Sequence, residues 1–576
     1  MHFTSKGKEE RTYDAIVVGT GIAGGWAAME LCKKGLKTLV LERGRMLRHG
    51  DYPTANMDSW EFPYRGNLSE ESRKRDYPKL SRKDYVAKAP HVHFFNKDPE
   101  YPYTEKRKFD WIRGYQVGGR SITWGRQTYR LSDLDFTANA RDGIAIDWPI
   151  RYADLAPWYD YVEKFAGISG QAEDLSQLPD GHFLPAMPLN CVEEKLQFGV
   201  HKHFNGRVVT PARVAHLTTY NPTTHRGHRG ACQYRNRCMR GCPFGAYFSS
   251  LSATLPEAEA TGNMTLLANS AVKELLYDGD KNRASGVLVR NTNNKEDLEF
   301  YVRGPIFLCA SALNSTAILL ASRPNEHPNG IGNSSDQLGR NLMDHHHRIG
   351  ARGNFAGFAK QYFKGRKPGG FYIPRFVNLD KKKSKRDYLR GFGYQGGGSR
   401  TNWMRGVKEM DMTIGPELKK QLVTPGPWEV GMLAFGESLP NPNNRITLNE
   451  DLLDKDELPT LTMDAAFGEN ERAMRVEMKS AAAEMLEAAG ARNVTTFETE
   501  AHPGFSIHEM GTARMGRNPK TSVLNKHNQV WDCPNVYITD GAAMTSASCV
   551  NPSLTYMALT ARAADHAFRA LNRGEL

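Results

Sequence analysis

The sequence has no long apolar run and no recognisable export signal. No stretch of the 576 residues approaches the roughly 18 consecutive apolar residues that a membrane-spanning helix requires, so we expect no transmembrane segment. The chain begins MHFTSKGKEERTYDA, which is polar and charged and lacks the apolar core of a signal peptide. This pattern favours the cytoplasm, unless a partner protein carries the chain out of it.

Cysteine is scarce, with eight residues in 576, which excludes a small disulfide-stapled scaffold. The C-x-x-C-H pattern that attaches haem is also absent. Three cysteines nevertheless fall within eleven residues, as Cys232, Cys238 and Cys242, and Pro243 follows the last. The residues alone leave four interpretations open: a disulfide with a spare thiol, a zinc site completed by His228, an iron–sulfur site, or inert thiols.

Acidic residues do not balance the basic ones, and the net charge is +12. Part of this charge lies in the basic runs at 72–76 and 380–387. No aromatic residues are interleaved with these runs, so we expect solvated loops and no nucleic-acid binding, while docking to an acidic protein partner stays open. Hydrophobic residues make up 40% of the chain and charged residues 24%, which is typical of a globular protein with two to four domain-sized units.

A glycine-rich turn near the amino terminus has the pattern of a dinucleotide-binding site. The run YDAIVV predicts a buried parallel strand, and Gly19, Gly21 and Gly24 follow it as G-x-G-x-x-G before a segment with helical spacing. Gly19 permits the tight turn, Gly21 lets the backbone approach a pyrophosphate, and Gly24 lets helix and strand pack closely. A second predicted strand, KTLVLERG, ends in Glu42, which can accept hydrogen bonds from ribose hydroxyls. An acid there disfavours a 2′-phosphate, so we expect FAD or NAD rather than NADP.

Three later segments suit the same kind of fold. RGYQVGGRSITWGRQ holds Gly118 and Gly119, which would let backbone approach a flat cofactor, although an ordinary glycine loop is the plainer interpretation. Residues 304–322 predict a strand, a small-residue turn and a helix. Residues 536–568 predict a strand ending at Asp540, a loop with Asn551 before a proline, and an amphipathic helix.

One histidine and one asparagine near the carboxy terminus are candidate catalytic residues. His508 lies in IHEMGTARMG, and Asn551 lies where the last predicted helix begins, which is a ready-made polar site. A lone histidine is more often structural than catalytic, and so is a lone asparagine before proline. The residues alone therefore leave both roles open.

Taken together, the motifs resemble the glucose–methanol–choline (GMC) oxidoreductase family across nearly the whole chain. The matches stand in the family order: the Gly19-x-Gly21-x-x-Gly24 turn with Glu42, the Gly118–Gly119 loop, ASALNSTAILLAS, LGRNLMDH, HEMGTARMG and TDGAAM…NPSLTYMALTAR. The resemblance implies an α/β protein, with a Rossmann-type FAD-binding domain and a substrate domain built on an antiparallel sheet. We expect the FAD domain to take residues 10–344, including a cysteine loop at 225–250, and residues 501–576. The substrate domain is expected at 345–500.

The resemblance also implies the site. His508 would accept the substrate hydroxyl proton and Asn551 would hydrogen-bond the developing alkoxide, with hydride passing to FAD. Thr123 stands where pyranose oxidase-like relatives carry a flavin-linking histidine, so we expect noncovalent FAD. The residues expected to bind FAD are Gly19, Gly21, Ile22, Ala23, Gly24, Glu42, Arg43, Gly118, Gly119, Ser121, Thr123, Trp124, Val272, Asp540, Gly541, Pro552 and Ser553.

The cysteine spacing C-x₅-C-x₃-C-P is similar to that of cluster-bearing bacterial FAD-dependent sugar dehydrogenases. This implies a 3Fe-4S cluster on Cys232, Cys238 and Cys242. It also implies two partners: a small subunit that carries an export signal, and a c-type cytochrome that accepts electrons. Such partners would place the chain in the periplasm or at a membrane.

The substrate implied is a sugar or glycoside, with C3 of glucosides preferred as the oxidised carbon, giving 3-keto sugars. The alternatives are oxidation at C1, an oxidase that uses oxygen, and a non-enzymatic electron-transfer subunit that retains FAD. The presence of both His508 and Asn551 argues against an inactive subunit.

Overall fold

The structure is a computed structural model that describes residues 7–361, 365–366, 369–380, 386–400, 414–500 and 502–576. Most of the basic run at 380–387 lies outside the described residues. The run at 72–76 lies mainly on a short helix, where Lys74 and Arg75 pair with Glu70 and Glu71 one turn earlier.

The described part of the chain forms α-helices and β-strands that we number in chain order. The helices are α1 (Ile22–Lys33), α2 (Glu70–Arg75), α3 (Asp133–Phe136), α4 (Ala138–Asp142), α5 (Tyr152–Ala166), α6 (Cys191–His203), α7 (Thr254–Glu259), α8 (Ala312–Ala321), α9 (Gly415–Val423), α10 (Glu469–Ala488) and α11 (Ser553–Asn572). The strands are β1 (Thr12–Tyr13), β2 (Ala15–Val18), β3 (Thr38–Leu41), β4 (Thr104–Glu105), β5 (Ser169–Gly170), β6 (Leu184–Pro185), β7 (Thr210–Pro211), β8 (Met264–Leu267), β9 (Ser270–Asp278), β10 (Arg283–Asn291), β11 (Asp297–Val302), β12 (Ile306–Leu308), β13 (Ile349–Phe355), β14 (Phe371–Ile373), β15 (Phe392–Arg400), β16 (Trp428–Gly436), β17 (Arg445–Leu453), β18 (Pro459–Asp464), β19 (Arg492–Glu498), β20 (Gln529–Val530) and β21 (Cys533–Ile538).

A six-stranded, mainly parallel sheet forms the first core. Its order is β20-β21-β12-β2-β3-β8, and only the β20–β21 edge pair is antiparallel. The central strands are buried on both faces, which explains why their sequences are short apolar runs without alternation. β2 lies between β3 and β12, so the strand order reverses beside β2, and ligands of such sheets bind at that point. The Rossmann-type fold predicted from the sequence is confirmed.

A second six-stranded sheet is antiparallel throughout, in the order β19-β13-β16-β15-β14-β7. Helix α10 packs on it through Met474, Met478 and Met485, which recur at helical spacing and are fully buried. A smaller four-stranded sheet has the order β1-β11-β10-β9. The antiparallel substrate-domain sheet predicted from the family resemblance is therefore confirmed.

The strand–turn–helix expected within 304–322 is confirmed as β12 and α8, and the last predicted helix is α11. Helix α11 packs against α1 and α5, and its alanine-rich buried face permits close approach. Within the described residues, no helix is long and apolar enough to cross a membrane.

Candidate active site

A cavity of about 740 Å³ extends from the carboxyl ends of the parallel strands to His508 and Asn551. All of the residues expected to bind FAD line this cavity except Gly24 and Gly118. The two sheets both contribute, since Val18 and Leu41 end parallel strands while Gln395 and Leu433 belong to the antiparallel sheet. One cavity therefore joins the predicted cofactor site to the predicted catalytic pair.

The glycine turn is shaped by close backbone contacts. Gly19 has φ +98°, and a Cβ there would lie 2.4 Å from Cys309 O. A Cβ on Gly24 would lie 1.9 Å from Gly19 O, so this glycine serves helix–turn packing and not ligand contact. A Cβ on Gly21 would meet no heavy atom of the described residues within 4 Å. Helix α1 begins beside the cavity without a side-chain cap among these residues, which leaves its amino-terminal N–H groups available for a pyrophosphate.

Glu42 organises the turn from the end of β3. Its carboxylate accepts hydrogen bonds from Thr20 N (3.1 Å), Thr20 Oγ1 (2.5 Å) and Gly44 N (2.9 Å). Thr20 Oγ1 in turn accepts a bond from Gly118 N at 2.9 Å, which ties the second glycine loop to the first. Burial raises the pKa of Glu42. Gly118 thus acts through the turn and does not line the cavity.

Arg43 and Asp540 also line the cavity, but each has protein partners. The Arg43 guanidinium pairs with Asp454 and Asp456 and lies over the Tyr115 ring. Asp540 accepts bonds from Ser315 Oγ (2.6 Å) and Ala542 N (3.0 Å), and burial raises its pKa to about 6. The other cavity-lining residues expected to bind FAD are mostly small and expose backbone, which fits a flat, phosphate-bearing cofactor such as FAD.

The structure brings His508 and Asn551 together. Asn551 Nδ2 lies 3.4 Å from His508 Nε2, and Asn551 Oδ1 accepts a hydrogen bond from Gln395 Nε2. Burial lowers the pKa of His508 well below 6.5, and the neighbouring His345, His347 and Arg120 lower it further. His508 is therefore neutral near pH 7 and able to accept a proton.

Asp344 holds the loop that carries His508. Its buried carboxylate accepts four backbone N–H bonds, from Gly504 (2.7 Å), His345 (2.9 Å), Ser506 (3.0 Å) and His508 (3.1 Å). Ile507, directly before His508, has φ +64°, a strained conformation for a β-branched residue. The four bonds to one carboxylate explain how that conformation is held.

His345 contacts His508 from the other side. The two Nδ1 atoms lie 2.9 Å apart, and His345 Nε2 lies 3.2 Å from Ala547 O. Sequence reasoning missed Asp344, His345 and Gln395 as parts of the site. The segment LGRNLMDH, one of the motifs that carry the family resemblance, ends at Asp344 and His345. Gln395 lies in a glycine-rich strand that gives no such signal.

The three clustered cysteines lie beside the cavity rather than in it. All eight cysteines are free thiols, so the disulfide interpretation is not supported. Met239, between Cys238 and Cys242, lines the cavity. Burial raises the pKa of Cys232 to about 11, and the nearby Cys238 and Cys242 thiols contribute. Among the described residues, no group of three or more His, Cys, Asp and Glu side chains is arranged to hold a metal ion.

Two buried arginines flank these thiols, and neither forms an ion pair with a carboxylate of the described residues. Arg126 lies 4.9 Å over the Tyr247 ring, and its Nε and Nη1 atoms have no hydrogen-bond partner in the described part of the chain. Arg229 donates to the Ala166 and Gly245 carbonyls, and burial lowers its pKa to about 9 although Cys242 opposes this. Buried cations of this kind favour an anionic group, which thiolates or a thiolate-bound cluster would provide.

Family models described as GMC oxidoreductase match residues 13–347 and 440–560. The fructose dehydrogenase large subunit of Gluconobacter japonicus is 27% identical over 98% of this chain and 99% of its own length. Paromamine 6'-oxidase of Streptomyces fradiae is 26% identical over 96% and 91%. The crystal structure of pyridoxine 4-oxidase from Mesorbium loti superposes with a TM-score of 0.57 at 16% identity, covering 96% of this chain and 98% of that one, which shows the shared fold.

Proposed function

Since this chain belongs to the GMC oxidoreductase family, we propose that it oxidises one hydroxyl of a sugar or glycoside with noncovalently bound FAD. The chain is a family oxidoreductase that acts on alcohol or sugar hydroxyls, and the sugar preference is the proposal. The observation that carries it is the His508–Asn551 pair, both members of which line the cavity.

The chain's own residues divide the chemistry between them. When bound, FAD supplies the acceptor for the hydride that leaves the oxidised carbon. Neutral His508 accepts the hydroxyl proton at Nε2, so the substrate O–H bond breaks as the new N–H bond forms. Asn551 Nδ2 donates to the substrate oxygen as negative charge develops there, and Gln395 holds the amide in that orientation.

A screen of sugars and glycosides with an artificial dye acceptor tests the substrate proposal. NMR of the product identifies the oxidised carbon, and our preference is C3 of a glucoside over C1. Simple alcohols oxidised at higher kcat/KM than any sugar would overturn the sugar proposal. Noncovalent binding, suggested by Thr123, is tested separately by acid precipitation, which should release the flavin into the supernatant. Flavin that stays on a peptide in the pellet would contradict it.

For electron exit, the proposal includes a 3Fe-4S cluster on Cys232, Cys238 and Cys242. It is supported by the cysteine spacing and by the buried Arg126 and Arg229, although these thiols are not arranged around a metal position in the structure. A cluster held there would supply one-electron transfer to an external acceptor. Iron and sulfide analysis with electron paramagnetic resonance of the oxidised protein tests it. Zinc, or no metal at full activity, would contradict it.

The proposed partners follow from the cluster. They are a c-type cytochrome that accepts the electrons and a small subunit that carries an export signal, which would place the enzyme in the periplasm or at a membrane. The fructose dehydrogenase relative is itself described as a large subunit. Co-expression with candidate small subunits, followed by fractionation, tests the location. We also propose the domain division 10–344, 345–500 and 501–576, which limited proteolysis can test.

The second candidate is an oxidase that passes electrons to oxygen. It is favoured by the similarity to paromamine 6'-oxidase and by the lack of a metal-binding group among the described residues. Peroxide formed in equal amount to product, with no gain from dye acceptors, would favour the oxidase. Slow peroxide formation with fast dye turnover would favour the dehydrogenase.

A further inference from the structure

The catalytic histidine belongs to a chain of hydrogen bonds that crosses the site. Gln395 contacts Asn551, Asn551 contacts His508, His508 contacts His345, and His345 contacts the Ala547 carbonyl. The last three contacts span 3.4, 2.9 and 3.2 Å. His508 and His345 each use one ring nitrogen toward each neighbour, so each neutral ring must donate at one nitrogen and accept at the other.

The carbonyl at the end of this chain has a fixed role. Ala547 O is a backbone carbonyl and can only accept, so His345 must carry its proton on Nε2. His345 is buried, with its pKa lowered to about 4, so it is neutral near pH 7 and its Nδ1 holds a lone pair. His508 must then donate from Nδ1, which leaves His508 Nε2 without a proton.

The opposite direction fails at the same carbonyl. If His508 carried its proton on Nε2, His345 would have to donate from Nδ1, and its bare Nε2 would face Ala547 O at 3.2 Å. Two lone pairs at that distance repel, and a buried acceptor would lose its bond. The carbonyl therefore determines the orientation of every donor up to Asn551, whose amide then donates to His508 Nε2 and accepts from Gln395.

We propose that His345 is a positioning residue that fixes the tautomer of His508, so that Nε2 carries a lone pair and no proton. This inference rests on the proposed function, in which His508 Nε2 accepts the hydroxyl proton. His345 does not line the cavity, so it acts through His508 and not on the substrate.

The charged and titratable groups around His345 and His508 do not change the direction of the hydrogen bond between them. Asp344 is committed to four backbone N–H groups, and Glu509 pairs with Arg120 at 3.1 Å. His347 Nδ1 is bonded to Ser506 Oγ at 2.6 Å, and Ser506 Oγ also donates to His345 O at 2.7 Å. Arg348 lies over the Tyr85 ring, 4.8 Å from its centre. Each of these groups thus has its own partner, and none of them competes for the hydrogen bond between the His345 and His508 rings.

Neutron diffraction of the resting holoenzyme tests the proton positions directly. We expect deuterium on His508 Nδ1 and His345 Nε2, and none on His508 Nε2. Deuterium on His508 Nε2, with Nδ1 bare, would overturn the proposal. This readout does not depend on activity or on the identity of the substrate.

Two matched variants test the consequence for catalysis. His345→Asn places an amide oxygen near the former Nδ1 and keeps an acceptor for His508, but loses the bond to Ala547. His345→Gln reaches the Nε2 position and keeps a donor for Ala547, but offers His508 no acceptor at Nδ1. Both remove the same ring, so general damage to packing affects them alike.

Leaving the buried His508 N–H without an acceptor favours the wrong tautomer. In protein that retains FAD, we expect flavin reduction in His345→Gln to be about ten- to hundredfold slower than in His345→Asn. Equal rates, or a slower Asn variant, would overturn the proposal. If both variants lose FAD, the neutron map of the wild-type protein decides. If the protons lie as expected and no sugar reduces the flavin, the proposed substrate fails while the tautomer assignment stands.

Discussion

At the scale of single residues, His508 is the group whose loss has the largest expected effect. A general base typically contributes about 10²- to 10⁴-fold, so His508→Ala should slow flavin reduction by that factor while FAD stays bound. Stopped-flow bleaching of the flavin under substrate measures this step without the electron acceptor. His182→Ala is a matched control, because His182 is half-exposed and does not line the cavity. A normal bleaching rate in His508→Ala would remove His508 from the mechanism.

Local sequence patterns are sufficient to predict the residues whose role depends on their neighbours in sequence. Gly19, Gly24 and Glu42 each follow a short apolar strand, and strand, turn and helix together fix what they do. Asp344 and His345 were not assigned roles, because their contacts with His508 join residues more than 160 positions apart. Gln395 was missed for the same reason, since its partner Asn551 lies 156 positions away along the chain.

At the scale of elements, two glycines of the first βα turn should separate packing from cofactor binding. Gly24→Ala forces a Cβ against Gly19 O, so we expect about 1–3 kcal/mol less stability even without FAD. Gly21→Ala meets nothing in the described chain, so the FAD-free protein should keep its stability. Its added methyl should instead weaken FAD binding by about tenfold or more.

Urea unfolding of the FAD-free proteins and titration with FAD measure the two effects. Gly35→Ala is not a suitable control because Gly35 has φ +86°, so wild-type protein prepared in the same way is the reference. If Gly21→Ala binds FAD as tightly as the wild type, the pyrophosphate does not approach the turn as we propose.

The segment of three consecutive histidines gives the fold a predictable pH dependence. An unfolded histidine takes up a proton near pH 6.5, whereas burial lowers the pKa of His345 to about 4 and that of His346 to about 3. Between these values the unfolded state binds more protons, so the free energy of unfolding falls as the pH falls from about 6.5 toward 4. His345 alone accounts for about 3 kcal/mol over that range.

Urea midpoints of the holoenzyme from about pH 7.5 down to about pH 5 measure this loss. His346 does not line the cavity, so His346→Leu removes one titrating ring without touching the proposed chemistry. We expect a shallower fall with pH in that variant. An unchanged slope would mean that His346 takes up its proton at the same pH in the folded and unfolded states, and the assigned lowering of its pKa would be wrong.

At the scale of the whole molecule, the family and fold could be predicted from the sequence, but the surroundings of the three thiols could not. The order of motifs along the chain indicates the family, and three of the motifs, the first glycine turn, ASALNSTAILLAS and TDGAAM, follow strands of the parallel sheet. The sequence shows the residue types and the cysteine spacing of the loop at 232–243. It does not show what surrounds this loop in space, because the neighbouring residues belong to a distant segment of the chain. Asn56 and Met57 accept hydrogen bonds from Arg235 and Arg240, and neither contact could be read from the sequence.

The two segments joined by these hydrogen bonds, residues 56–65 and 234–244, form a basic face beside the three thiols. Tyr64, Tyr234 and Phe244 are exposed on it, by 67%, 39% and 44%. Arg237 forms an ion pair with Asp58, whereas Arg235 and Arg240 donate to an amide oxygen and a carbonyl, so the face keeps a positive charge. Exposed aromatic rings among positive charges suit a partner with an acidic surface.

If electrons leave through the thiol loop, reversing charge on this face should slow transfer to the partner alone. We expect Arg235→Glu to lower the rate of cytochrome reduction and to make that rate less sensitive to salt, because long-range attraction to an acidic surface is lost. Turnover with a small neutral dye should stay unchanged, since the cavity and the His508–Asn551 pair are untouched. Arg569→Glu, on α11 where Arg569 pairs with Asp565, reverses one charge outside this face and should leave both rates as they are. Equal loss in the two variants would mean that net charge, and not this face, governs the encounter.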